Sequence, residues 1–203
     1  MAAHAQGFRF SNPQPDPDAA AQGERQAAAS AQLATPCRDK IRNRKIMVLI
    51  AEEKNGTVTA TQDSYSRHIE AVNSRLQAVG LRTYTPEQIR KQVAQEEINA
   101  YFKNDPDRAL SASRRLAAQY VLRGVIASSA VRNAVVNVNQ VTVNLDFTLT
   151  DVASGKPVST ASASNASYAG SDTPAMALTL IGERADEVVA KLYGDYCRSA
   201  GPR

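Results

Sequence analysis

The chain has 203 residues, 43% of them hydrophobic, with 24 Lys and Arg against 20 Asp and Glu and a formal net charge of +4. That size suits one main domain with an appendage, and with no Trp and four Phe the core must come mostly from Val, Leu, Ile and Ala. The mild basicity suits an anionic partner but is no nucleic-acid signature by itself, and no apolar run approaches the roughly 20 residues a membrane-spanning helix needs. Ala3-His4-Ala5 has the form of a signal-peptidase site without a hydrophobic segment before it. The expectation is a mature exported protein, periplasmic, with its leader removed. Residues 1–36 read as a Pro/Ala-rich tail. Asn12-Pro13-Gln14-Pro15-Asp16-Pro17-Asp18 favours extended chain, and Ala19–Leu33 has the composition of a short helix with almost no apolar face beyond Ala. Phe8 and Phe10 stand on this polar stretch as candidate anchors for a partner.

Residues 37–203 read as the folded α/β domain. Lys45–Ala51 is dense enough in apolar residues for a fully buried strand, and Lys54-Asn55-Gly56-Thr57 is a turn signal. Asp63 or Ser64 is placed to cap a helix with Tyr65, Ile69, Val72, Leu76 and Val79 on one stripe, ended by Gly80. Leu81–Tyr84 is a short strand. Thr85-Pro86-Glu87-Gln88 spells a capping box that opens a helix through Phe102, and Asp105-Pro106 restarts a helix to about Ala118. Gln119–Val131 is a strand containing Gly124. From Val141 to Thr150 the apolar Val141, Val143, Leu145, Phe147 and Leu149 alternate with Thr142, Asn144, Asp146, Thr148 and Thr150. After turn residues 151–156 a second arm follows from Pro157 to about Tyr168, giving a long antiparallel hairpin with one buried and one polar face. Thr173-Pro174 opens a last helix to Tyr196. The order β-α-β-α-α-β-β-β-α predicts a mixed sheet covered by helices, preceded by an extended tail.

No catalytic constellation emerges. His68 shares a helix face with Ser64, but nothing nearby would orient a base, so it reads as a surface histidine. The adjacent carboxylates Glu52-Glu53 and Glu96-Glu97 read as solvated faces. Gly155-Lys156 lacks the rest of a phosphate-binding loop. Two His without ligand spacing to a Cys argue against a metal, and no cofactor is expected. Cys37 and Cys197 bracket the domain, as a disulfide formed in an oxidising compartment would. Leu33-Ala34-Thr35-Pro36 is a poor lipobox, so lipidation of Cys37 is not expected. Arg38, Lys40, Arg42, Arg44 and Lys45 form a basic cluster suited to anionic lipid, peptidoglycan carboxylates or an acidic protein patch. No aromatic is interleaved with it, which argues against nucleic acid.

Ala51-Glu52-Glu53-Lys54-Asn55-Gly56-Thr57 and Gly80-Leu81-Arg82-Thr83-Tyr84-Thr85 resemble the opening of a domain shared by the penicillin-binding-protein activator LpoB, CsgG, FlgT and the amino-terminal domain of TolB. Ala118-Gln119-Tyr120-Val121-Leu122-Arg123-Gly124 and the hairpin Leu145-Asp146-Phe147-Thr148-Leu149-Thr150-Asp151-Val152-Ala153-Ser154-Gly155-Lys156 resemble two further segments of that domain. The resemblance spans about residues 44–196. It implies a non-enzymatic envelope protein that binds other proteins inside a multi-subunit assembly, with no small-molecule substrate. The leading expectation is an accessory part of a secretion, pilus or flagellar complex, with peripheral outer-membrane or peptidoglycan contact. The alternative is an activator of a peptidoglycan synthase.

Overall fold

The computed structural model describes residues 17–34, 37–103, 105–133, 135, 138–167 and 172–199. Helix α1 (Pro17–Leu33) is followed by the single turn α2 (Arg38–Ile41) and strand β1 (Lys45–Lys54). Asn55 and Gly56, both at positive φ, close a tight hairpin from β1 into β2 (Thr57–Thr59). A 3-10 turn (Gln62–Tyr65) leads into α3 (Ser66–Ala78), and β3 (Arg82–Thr83), α4 (Pro86–Gln92), α5 (Gln95–Phe102) and α6 (Pro106–Arg115) follow. Strands β4 (Tyr120–Asn133), β5 (Val138–Asp151) and β6 (Pro157–Ser167) run as a meander, and α7 (Thr173–Ser199) ends the described chain.

The sheet order is β2-β1-β4-β5-β6, with β3 pairing the start of β1. The β1–β4 and β1–β3 pairs are parallel, and the rest are antiparallel. The mixed α/β sheet covered by helices is therefore as the periodicity predicts. The alternation in β5 sorts its two faces: Leu145 is buried while its neighbour Asp146 is exposed. The polar stretch before Val141 extends the hairpin, since β4 and β5 stay paired out to Asn133 and Val138.

Two cores result. On one face Ile46, Val48, Ile50, Leu122, Ile126, Leu145 and Phe147 pack under α3 and α7. On the other, Met47, Leu49, Ala51, Val121 and Val125 pack against Ile89, Ile98, Phe102 and Leu110 of α4–α6. Each such side chain contributes about 1.5–3 kcal/mol of burial. Because β1 is buried on both sides, its sequence shows no alternation.

Several expectations need correction. Residues 17–33 form a helix, so within the tail expected to be extended the stretch from Ala19 to Leu33 takes the helical form its composition allows, and Pro17 and Asp18 join it. Ala, Gln and Glu favour helix there, and α7 supplies a surface on which Ala29 is buried and Arg25 pairs with Glu187 at 4.0 Å. Neither Asp63 nor Ser64 caps α3; the 3-10 turn takes their place, and Tyr65 at the cap position gives no side-chain bond. The helix expected from Pro86 to Phe102 is two helices. Val93 and Ala94 turn extended between them, and Val93 is buried in the second core. The Thr85–Gln88 capping box forms, and Gly80 sits at φ 100° where α3 ends.

Candidate interaction surface

The basic cluster gathers where α2 passes into β1. Ile41 is buried and anchors the turn. Asn43 then adopts a left-handed φ of 64°, which stops the helix and sets up the strand. Its N–H donates to the Gly80 carbonyl at 2.9 Å, and its side-chain oxygen accepts from Arg82 Nε at 3.1 Å. Arg82 N–H donates to the Arg44 carbonyl at 2.8 Å, and Gln119 N–H to the Lys45 carbonyl at 2.8 Å. Two separate segments, one carrying Gly80 and Arg82 and the other Gln119, thus brace Asn43, Arg44 and Lys45.

On that frame Lys40, Arg42 and Arg44 are exposed and Lys45 is half-buried. Lys40, Arg42 and Arg44 line an open cleft of about 510 Å³ whose floor includes Gln119 and Tyr196. The carboxylate Asp39 also lines it. Arg38 begins α2, but its side chain lies outside the described residues, as do Phe8 and Phe10. Sequence reasoning missed Arg82. It lies far along the chain from the cluster, and only the pairing of β3 with β1, which sets Lys45 beside Arg82, brings it in.

Cys37 and Cys197 are joined as a disulfide, with their Cα atoms 5.7 Å apart. The bond ties the start of α2 to the end of α7, next in sequence to Tyr196 of the cleft. Tyr196 strengthens that corner: its ring meets Tyr120 edge-on at 5.5 Å, and its hydroxyl donates to the Lys40 carbonyl at 3.4 Å.

His68 is not a surface histidine. It is 4% exposed, with Nε2 held 2.8 Å from the Pro174 carbonyl and its ring edge-on to Tyr65. The carbonyl can only accept, so Nε2 carries the hydrogen and donates it in this bond; Nδ1 of the neutral ring is then unprotonated, and it has no hydrogen-bond partner among the described residues. Burial lowers the His68 pKa, and Arg67 adds to that; the Pro174 carbonyl and the Glu52 charge oppose it. Ser64 is exposed, and Ser66 Oγ donates to the Asp63 carbonyl at 3.0 Å, so neither serine is paired with His68. Glu52 accepts from the Tyr65 hydroxyl at 3.2 Å. Burial first, then the Glu52 charge and this bond, push the Tyr65 pKa up to about 12. Glu97 pairs with Arg115 while Glu96 is exposed, so these adjacent carboxylates have separate roles. Among the described residues no cluster of His, Cys, Asp and Glu could hold a metal, and no helix is long and apolar enough to cross a membrane. What this arrangement offers chemically is a braced cationic surface.

Solved structures are similar to the chain at low identity. The hypothetical protein CT253 from Chlamydia trachomatis is 13% identical with a TM-score of 0.50, covering 77% of this chain and 99% of that one. A PelC dodecamer from Paraburkholderia phytofirmans is 18% identical with a TM-score of 0.44, covering 72% and 88%. The LpoB C-terminal domain from Salmonella enterica is 14% identical with a TM-score of 0.41, covering 70% and 98%. No curated protein sequence matches the chain. The family model described as peptidoglycan-synthase activator LpoB matches residues 25–159, from within α1 into the start of β6. With more than half of its length matched by that model, the chain belongs to the LpoB family of peptidoglycan-synthase activators.

Proposed function

We propose that this chain is a non-catalytic periplasmic protein that activates a peptidoglycan synthase by binding to it. The observation that carries this reading is the LpoB family match over residues 25–159. It speaks for a synthase rather than for a secretion, pilus or flagellar complex. The Cys37–Cys197 disulfide supports an oxidising compartment. The division of labour sketched by the sequence also carries over. Phe8 and Phe10 act as partner contacts on the segment ahead of α1. The residues Arg38, Lys40, Arg42, Arg44 and Lys45 form a second contact on the folded body. The basic cluster contacts protein in this reading, with the envelope itself as the setting.

The test uses the purified full chain and a penicillin-binding protein with glycan-polymerising activity from the same cell. Direct binding and a severalfold faster polymerisation are expected. A synthase that neither binds the chain nor changes rate would end the proposal.

A further inference from the structure

We infer that the cleft between the Arg42–Lys45 segment and the end of α7 is the docking site for an acidic segment of a partner protein. The inference rests on the reading of this chain as a protein that works by binding another. It deepens that reading by naming the chemistry the partner must present.

The first argument is charge that the fold leaves uncompensated. Several cations elsewhere are matched: Arg25 and Arg184 with Glu187, Arg75 with Asp186, Lys91 with Glu87, Lys191 and Arg198 with Asp195. At this end of the sheet no carboxylate among the described residues pairs with Arg42, Arg44, Lys45 or Arg82. Arg44 Nε instead donates to the Lys40 carbonyl at 3.3 Å, and Arg82 Nε to the Asn43 side chain. Neutral acceptors satisfy some N–H groups but leave the positive field standing. Like charges gathered this closely repel one another, so an anion arriving here relieves repulsion as well as forming new bonds.

The second argument is rigidity. The backbone that carries these side chains is cross-bonded to Gly80, Arg82 and Gln119, and the disulfide ties the start of α2 to α7. Binding therefore orders only side-chain rotamers, which lowers the cost of association. The planar arginine fork matches a carboxylate with two parallel bonds, so Arg42 and Arg44 suit Asp and Glu side chains.

The third argument separates a protein from a membrane. A membrane-surface site adds apolar side chains that enter the headgroup layer. The exposed large apolar residues among the described residues, Val131 and Val135, lie at the far end of the β4–β5 hairpin, while the cleft lies where β1 and β4 begin. A concave cationic cleft without an apolar rim fits a protruding acidic segment better than a flat bilayer.

The experiment measures fluorescence anisotropy of a labelled deca-glutamate peptide titrated with the full chain. Three variants accompany the wild type: Arg42→Glu/Arg44→Glu, its neutral version Arg42→Gln/Arg44→Gln, and a charge-matched control at the opposite end, Lys54→Glu/Arg132→Glu. We expect the wild type and the control to bind alike. The glutamate variant should weaken by at least about tenfold and the glutamine variant by less, with melting temperatures unchanged. Equal weakening by the control, or no weakening by either cleft variant, would overturn the assignment. So would tighter binding to phosphatidylglycerol vesicles that is lost with the same cleft substitutions. The synthase assay separates the two readings. If the wild type activates the synthase and the cleft variants do so undiminished, the cleft assignment falls alone. If the wild type ignores the synthase yet holds the acidic peptide through the cleft, the function falls and the cleft stands.

Discussion

Gly124 in β4 lies directly opposite Phe147 in β5, and a Cβ on Gly124 would stand 2.8 Å from Phe147 Cε1. The ring fills the space that a side chain would need, and Ile50 Cγ1 closes it from the neighbouring strand at 3.3 Å. Glycine usually weakens a central strand, so its presence here reflects close approach. Gly124→Ala should cost about 1–3 kcal/mol, because the core is too tightly packed to yield the space freely. Urea melts check this, and Phe147→Leu in the Gly124→Ala background should recover part of the loss. Equal stability of Gly124→Ala and wild type would show that the ring moves aside without cost.

Gln62 completes β1 in a way that no pattern signals. It is 1% exposed, accepts from the Ile50 N–H at 3.1 Å, and donates to the Ile50 carbonyl at 2.8 Å and the Ala60 carbonyl at 2.7 Å. One side chain thus does for Ile50 what a neighbouring strand does elsewhere. Gln62→Leu keeps the volume and removes those partners. Leaving a buried backbone group unsatisfied costs about 1–3 kcal/mol, and the variant should lose at least that much. Gln62→Glu should be worse at neutral pH, since a carboxylate cannot donate to either carbonyl. Chemical denaturation of both variants tests the order.

Features governed by local chemistry were legible in the sequence. The alternation from Val141 to Thr150, the Thr85–Gln88 box, the Asn55-Gly56 turn and the Gly80 stop all depend on residues a few positions apart. What escaped depends on partners far along the chain. His68 looked like a polar residue on the rim of α3, and its burial follows from Pro174, 106 residues away. Arg82 joins the basic cluster only through strand pairing, and Val93 breaks a helix because the second core takes its side chain. In the candidate surface the cations were legible as a run. The brace that fixes them, from Gly80, Arg82 and Gln119, was not.

The disulfide closes most of the chain into one loop, with a sequence separation of 160 between Cys37 and Cys197. In the chain-entropy account so long a loop restricts the unfolded state strongly, and its loss should cost about 2–5 kcal/mol. Cys37→Ser/Cys197→Ser should melt well below the wild type, and reductant should lower the wild-type melting temperature towards that of the variant. Reductant should leave the double variant unaffected. If wild type and variant melt together, the helices hold the two termini without the bond.

His68 should make the fold sensitive to mild acid. Burial lowers its pKa in the folded state, so the unfolded chain binds a proton at higher pH than the folded one does. The stability contributed by neutral His68 is therefore fully present above its ordinary value of about 6.5, and it is lost as pH falls towards the depressed folded value. A proton on Nδ1 would have no acceptor there. Arg67 would repel the new charge, while Glu52 and the Pro174 carbonyl would favour it only in part. His68→Gln keeps an N–H donor for the Pro174 carbonyl and does not titrate in this range. Wild type and variant should show melting temperatures that converge as pH drops from 7.5 to about 5, with the wild type losing more. A constant gap over that range would mean that His68 takes up its proton as readily in the folded chain as in the unfolded one, and the latch between α3 and α7 would then be independent of pH.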